Sequence, residues 1–200
     1  MRRIISTLGW LLSPTRKIID CWKRGNRIHR GMALRAWNKY LFLFELTLAV
    51  LVALASASTP FHSNPLVAWP LIVYAYSRCN EIAYAFYRDT SSRLSQEEQE
   101  SDLTSTDRIH MAMKSYVGLA INFALLYFFI PIPGLFNQPF ANFLESIYFS
   151  GVTLTTLGYG DMTPTHFFSR LLVLYEVFAG IFLVVVAIAT YVGNPSRKDA

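Results

Sequence analysis

The sequence predicts an all-α membrane protein with four transmembrane helices and one shorter re-entrant helix. The first observation behind this prediction is composition: 53% of the 200 residues are hydrophobic and 16% are charged, whereas soluble domains carry about a quarter charged residues. The second is a set of apolar runs of about 20 residues, the length at which a helix crosses the hydrocarbon core. The third is a concentration of basic residues near the N-terminus, which is typical of cytoplasmic segments.

The same sequence excludes several other classes of protein. A chain this rich in hydrophobic and aromatic residues is not intrinsically disordered. Cys21 and Cys79 are the only cysteines, too few for a disulfide-rich secreted scaffold. The chain contains no metal-spaced Cys/His set, phosphate-binding loop or nucleophilic triad. We therefore expect neither enzymatic activity nor a bound cofactor.

The first two predicted spans carry charges inside the membrane. Residues 40–58 contain one charge, Glu45, and residues 66–87 turn polar toward their end, where Arg78 and Glu81 lie one helical turn apart. An ionisable group at mid-bilayer costs roughly 2.5–3.5 kcal/mol, so each needs a partner. We expect Glu45, Arg78 and Glu81 to form an intramembrane cluster that joins the two helices. A structural role is favoured over a sensing role.

The other spans lie in the C-terminal half of the chain. Residues 115–132 form the third predicted span, and residues 171–193 form the longest and most apolar run. Between them, residues 141–154 are apolar but too short to cross the bilayer, which indicates a re-entrant helix.

Charge placement predicts the orientation. Residues 1–39 contain ten Lys and Arg residues against one acid, while the loops 59–65 and 133–165 contain no Lys or Arg. The positive-inside bias places the N-terminus in the cytoplasm, and four spans return the C-terminal tail to the same side.

The basic N-terminal arm has three interpretations. Arg2 and Arg3 precede a short apolar stretch, as in a signal peptide, but no small-x-small cleavage site follows. Nucleic-acid binding is disfavoured, because proximity to a membrane explains the charge. We expect an interfacial segment with Trp10 at the lipid boundary and the basic residues on anionic headgroups.

An acidic stretch separates the two membrane parts of the chain. Residues 88–111 contain the run SQEEQESD and are interpreted as a solvated cytoplasmic linker; a regulatory role is the alternative. The predicted organisation is an N-terminal arm, a two-helix unit, this linker, a second membrane module and a tail, at residues 1–39, 40–87, 88–111, 112–193 and 194–200.

The segment TTLGYGD at residues 155–161 indicates the function. Glycines alternating with a bulky residue allow unusual dihedral angles and can direct successive carbonyls to one side. Irregular backbone at membrane depth is tolerated only where it is buried in protein or lines a water-filled cavity. Rings of such carbonyls replace the hydration shell of a cation, so we interpret the segment as an ion-selectivity filter.

This segment closely resembles the signature of the potassium channel family. The similarity covers residues 112–193 and includes an outer helix, a pore helix, the filter and an inner helix, in the order found in that family. It implies potassium-selective conduction, with potassium as the transported ion, by a small four-helix subunit in the cell membrane, expected to be prokaryotic.

The resemblance implies roles for individual residues. The carbonyls of Thr156, Leu157, Gly158 and Tyr159 would coordinate potassium, Gly158 and Gly160 would permit the carbonyl orientation, and a ring of Asp161 carboxylates would concentrate cations at the outer mouth. Leu157 replaces the valine that is more common in the family. Tyr148 and Phe149 resemble the aromatic residues that surround the filter.

The resemblance also implies the assembly and the gate. One chain has one filter segment, so the working unit would contain three further copies of the chain around a central pore. Gly180 lies where many members of the family have a glycine hinge. The residues matching the cavity and gate lining are Ile181, Val184, Val185, Ile188 and Val192.

Regulation is less well indicated. Arginines spaced as in a voltage sensor precede the first span rather than forming a helix between the second and third, so we do not expect voltage sensing. No ligand-binding module is expected after the pore. Glu176 is interpreted as a structural carboxylate or as a proton-sensitive group near the gate. His166 is interpreted as a loop residue, with pH sensing as the alternative.

Three functional hypotheses follow. The first is a homotetrameric potassium channel with passive conduction. The second is a potassium transporter subunit, which is disfavoured because such proteins resemble fourfold internal repeats and this chain has none. The third is a non-conducting or regulatory subunit of a heteromeric channel. The sequence does not indicate the gating stimulus.

Overall fold

The computed structural model of the chain describes residues 27–58, 64–95 and 101–193, and it confirms the all-α fold. Regular structure in these ranges is helical, apart from one isolated β-bridge between Phe136 and Pro164. The elements are α1 Arg27–Ser58, α2 Pro65–Leu94, α3 Ser105–Phe129, α4 Phe143–Leu154, α5 Phe167–Ile181, a π-helix Phe182–Ala187 and α6 Ile188–Gly193. The predicted interfacial segment, the run at 96–100 and the tail from 194 lie outside the described residues.

Within the described ranges, three helical segments are long and apolar enough to cross a membrane. They are Ile28–Ser56, Ser105–Phe129 and Phe167–Thr190, the last running through the π-helix into α6. At 30 residues, α2 is also long enough, but its polar second half keeps it outside this group, so its crossing stays a prediction. At 12 residues, α4 is apolar but too short to span.

Side chains before the first turn begin three of these helices. The Asn64 side chain accepts a hydrogen bond from the Leu66 amide at 3.0 Å, and Pro65, the first residue of α2, has no N–H to satisfy. Thr104 and Asp107 form a reciprocal capping box before α3, with both side-chain-to-backbone bonds at 3.1 Å. Helix α4 has Asn142 as its N-cap.

The helices extend beyond the apolar runs from which they were predicted. Helix α1 begins 13 residues before residue 40, and the predicted linker at 88–111 is helical up to Leu94 and again from Ser105. Polar contacts support these extensions: Arg35 pairs with Asp107 at 3.0 Å, and Arg108 pairs with Asp89. A helix satisfies its own backbone hydrogen bonds, so it can continue into water where side chains give it partners.

The described chain divides into two compact units. Unit 1 comprises the residues up to Leu43, Ser77–Tyr116 and the residues from Phe182 onward, and unit 2 comprises Phe44–Tyr76 and Val117–Ile181. Unit 2 therefore contains the second half of α3, the whole of α4 and α5, and the filter segment. In it, Phe123, Phe129 and Phe143 are among the largest fully buried side chains.

Candidate ion-conducting site

Helix α4 delivers the chain directly into the filter segment. It ends at Leu154 with Thr155 as its C-cap, whose backbone N–H donates to the Gly151 carbonyl at 3.0 Å. The next two amides fold back onto the last turn: Thr156 N–H donates to Thr153 at 2.9 Å, and Leu157 N–H donates to Val152 at 3.0 Å. The start of the filter segment is therefore held by the carbonyls that end the helix.

The sign of the backbone angle φ alternates along the filter segment. Thr156, Gly158 and Gly160 have φ values of 59°, 57° and 79°, while Leu157 and Tyr159 keep negative φ. Positive φ at every second residue is found in neither a helix nor a strand, and it allows successive carbonyls to be directed to one side. The segment therefore has the backbone pattern that a row of carbonyl ligands requires.

Glycine is favoured at positions 158 and 160 by the backbone conformation and not by lack of space. A Cβ atom added at Gly158 or Gly160 would meet nothing within 4 Å in one chain, but it would be strained at positive φ. Thr156 is the one described residue other than glycine at positive φ, and it is β-branched, so it is a genuine outlier. Such outliers cluster at functional sites.

The outer end of the segment contacts α4. The rings of Tyr148 and Tyr159 stack with centroids 6.4 Å apart. The Asp161 side chain also interacts with the Tyr148 hydroxyl and raises the pKa of the phenol. These contacts join the helix to the residue expected at the outer mouth.

Asn137 secures the chain after the filter segment, a role that was not predicted from the sequence. Its Nδ2 donates to the Asp161 carbonyl at 3.2 Å, its Oδ1 accepts from Thr163 N–H at 2.9 Å, and its own N–H donates to the Thr163 carbonyl at 3.0 Å. Its neighbour Phe136 forms the β-bridge to Pro164. An Asn in a loop gives no sequence signal for contacts 24 and 26 residues away.

His166 and Ser169 hold the start of α5 in the same way. His166 Nδ1 accepts from the Phe168 amide at 3.1 Å, and Ser169 Oγ donates to the Leu135 carbonyl at 2.6 Å. The structure therefore gives His166 a capping role at the entrance of α5.

An aromatic cluster packs behind the filter. Phe149 is buried, and its ring lies 5.2 Å from that of Tyr127 and 5.0 Å from that of Phe136 in edge-on arrangements. Phe140 and Phe123 extend the cluster. Of the two neighbouring aromatic residues on α4, Phe149 fills the core and Tyr148 faces the filter segment.

The residue expected to be a hinge lies in a close contact. Gly180 is buried, and a Cβ atom there would lie 2.7 Å from Leu154 Cδ1 and 3.3 Å from the Leu154 carbonyl oxygen. Two residues later the helix changes to a π-helix, Phe182–Ala187. Nothing in the residue pattern of this segment predicts a π-helix.

The candidate gate-lining residues are mostly exposed in one chain. Ile181, Val184, Val185 and Val192 expose between 39% and 66% of their surface, and Ile188 is half-buried.

In the expected charge cluster, Arg78 Nη1 and Glu81 Oε2 form an ion pair at 2.8 Å.

Glu45 has a partner on α3. It is buried, and its Oε1 accepts a hydrogen bond from Asn122 Nδ2 at 3.0 Å. Its carboxyl group occupies the space beside Gly118 that a Cβ atom there would need.

Comparison with known proteins agrees with this geometry. Residues 115–194 match the family model described as "Ion channel". A segment of 69 residues, 34% of this chain, is 33% identical to the "Two-pore potassium channel 1" of Arabidopsis thaliana. The chain covers 19% of the length of that relative. No solved structure matches the chain. The resemblance to the potassium channel family is thus confirmed, and the expected prokaryotic origin stays a prediction.

Proposed function

We propose that this chain is the subunit of a potassium-selective channel in which four copies surround one pore and conduct passively. The observation that carries the proposal is the alternating backbone at 156–160, which directly follows a 12-residue apolar helix inside the matched ion-channel region. Carbonyl rings of this kind coordinate dehydrated potassium ions. The potassium channel named among the relatives supports potassium as the ion.

The exposed apolar surface around the filter segment supports assembly. Leu157 and Tyr159 expose 60% and 65% of their surface, and Phe167 and Phe178 expose 72% and 69%. Irregular backbone at membrane depth does not face lipid, so the exposed side of residues 156–160 must be covered by protein or line a water-filled cavity. One chain supplies one row of carbonyls, so a closed ring requires cyclic symmetry, and we propose four copies.

The remaining assignments belong to the same proposal. The Asp161 carboxylates concentrate cations at the outer mouth, and the apolar gate-lining residues close the inner end by dewetting. The protein resides in the cell membrane with both termini in the cytoplasm, and its basic arm lies on anionic headgroups.

Cation flux into liposomes that contain the purified protein tests this function. We expect potassium flux that barium blocks and a much smaller sodium flux under the same gradient. The mass of the detergent-solubilised protein should correspond to four chains. Equal potassium and sodium fluxes would contradict the filter assignment, and absence of flux from a verified tetramer would favour a silent subunit. Copurification of a second pore subunit would favour a heteromeric channel.

A further inference from the structure

A buried carboxyl group joins three helices of unit 2 outside the filter segment. Glu176 of α5 is fully buried. Its Oε2 accepts a hydrogen bond from the Tyr127 hydroxyl of α3 at 2.6 Å. Its Oε1 contacts the Ser150 hydroxyl of α4. Conduction through the proposed filter does not require a carboxyl group at this position.

Counting protons determines the state of this group. Ser150 Oγ also lies 2.8 Å from the Ala120 carbonyl oxygen. Three oxygen–oxygen contacts therefore need three protons, and the two hydroxyl groups of Ser150 and Tyr127 supply only two. The third comes from the carboxyl group: Ser150 donates to Ala120, Glu176 donates to Ser150, and Tyr127 donates to Glu176. A neutral Glu176 satisfies all three contacts, and an ionised one leaves a serine contact without a proton.

The surroundings of Glu176 favour the same neutral state. No ion pair to Glu176 occurs within the described ranges. The titratable group that contacts it is Tyr127 of α3, and α4 contributes only the Ser150 hydroxyl. Glu45, the other buried carboxyl group of unit 2, bonds Asn122 instead. A buried carboxylate without a cation is costly, and costs more in a membrane.

The position of the contact connects the proton to the filter. Ser150 lies six residues before Thr156 on the helix that leads into the filter segment. Helix α5 meets α4 again one turn later, where Gly180 accommodates the side chain of Leu154. The two contacts lie one helical turn apart on both helices: Ser150 meets Glu176, and four residues later on each helix Leu154 meets Gly180. The Glu176 contact is the polar one of the two, so it is the one that a proton can change.

We propose that Glu176 is a proton-binding positioning residue: its protonated carboxyl group holds α4 and α3 against α5, and loss of the proton leaves Ser150 with one hydrogen bond instead of two, loosens α4 and lowers conduction. The effect on conduction rests on the proposed channel function. The proton-binding site rests on the geometry alone. The direction of the pH effect follows from the proton count, because the protonated form of Glu176 is the one that makes all three contacts. Conduction should therefore fall as the pH rises.

Potassium flux as a function of pH tests the effect on conduction. As the pH is raised from neutral into the alkaline range, we expect wild-type flux to fall about threefold or more as one group loses its proton. Glu176→Gln carries a neutral amide that can donate to Ser150 and accept from Tyr127 at every pH. It should conduct near neutral pH and lose this pH dependence. Glu45→Gln is the matched control and should keep it. A pH profile of Glu176→Gln equal to that of the wild type would overturn the proposal.

Infrared spectroscopy tests the proton itself, without requiring conduction. The C=O stretching band of a protonated carboxyl group should be present in the wild type near neutral pH, weaken at alkaline pH and be reduced in Glu176→Gln. No difference between wild type and Glu176→Gln in this band would overturn the proton-binding site. If the band behaves as expected in a protein that shows no flux, the proton-binding site stands and the channel function is rejected. Failure of the site and failure of the channel function are therefore distinguishable.

Discussion

At the scale of single residues, the proposed filter depends on backbone angles that most side chains resist. A left-handed conformation costs an L-residue about 1–2 kcal/mol, and glycine avoids this cost at 158 and 160. Thr156 does not avoid it, with φ at 59°. The hydrogen bond from its backbone N–H to the Thr153 carbonyl helps to hold this conformation. Strain of this kind is maintained by surrounding contacts, in this case those of the last turn of α4.

Gly158→Ala should impair selectivity more than folding. The Cβ atom meets no neighbour in one chain, so the cost is conformational, roughly 1–3 kcal/mol, and relaxing it would turn the carbonyls away. The ratio of potassium to sodium flux in liposomes should fall toward one.

The matched control for this substitution is Gly134→Ala. Gly134 also has positive φ, at 70°, and open space around it, but it lies in the loop before α4. It introduces the same kind of strain outside the filter, so the flux ratio should stay near that of the wild type. Equal loss of selectivity in both variants would mean that general strain, and not carbonyl direction, is responsible.

At the scale of helices, the close contact between α4 and α5 explains a glycine that the sequence suggested as a hinge. The Leu154 side chain and carbonyl occupy the space beside Gly180, so a small residue is needed for packing. The π-helix Phe182–Ala187 begins directly after this contact. π-helical turns are common at functional sites and bend a helix without glycine.

Gly180→Ala should therefore destabilise the fold by overpacking, by about 1–3 kcal/mol. Thermal unfolding in detergent measures this loss. Leu154→Ala in the same chain removes the clashing Cδ1 atom, so the double variant should be more stable than the sum of the single effects predicts.

The control for this cycle is Gly151→Ala on α4, where a Cβ atom has open space and little stability should be lost. Strict additivity of Gly180→Ala and Leu154→Ala would argue against the contact and in favour of an independent hinge.

At the scale of the whole molecule, the membrane topology depends on α2. Among the described residues, three helical segments have the length and apolar composition to cross, whereas α2 includes Arg78 and Glu81 as a largely buried ion pair. Pairing lowers the cost of bringing charges into the membrane, so the pair makes a crossing by α2 feasible. The proposed orientation of both termini requires that crossing.

Cysteine labelling from outside the cell determines whether α2 crosses. In a chain with Cys21 and Cys79 replaced by serine, Asn64→Cys and Gln138→Cys should react with an impermeant reagent, and Thr106→Cys should react only after permeabilisation. All three positions are exposed. If α2 does not cross, residues 64 and 106 will react from the same side and residue 138 from the other.

The sequence alone determined the all-α class, the approximate positions of the helices and the segment that resembles a filter. These properties are local: apolar run length reports the solvent around a helix, and alternating glycines report the backbone angles available to a segment. The short apolar helix predicted at 141–154 was found at Phe143–Leu154. Other helices begin before their predicted spans, with α1 starting at Arg27 and α3 at Ser105. Hydropathy does not detect helical turns outside the apolar run.

Only the tertiary structure decided which residues distant in sequence meet. It paired Asn137 with the filter exit, Glu45 with Asn122, Gly180 with Leu154, and Glu176 with Tyr127 and Ser150. Each pair depends on how helices pack. Helix packing is set by the shapes of whole surfaces and not by the spacing of residues along one chain. A buried carboxyl group finds its proton donors and acceptors only when three helices come together, and so its protonation is a property of the fold.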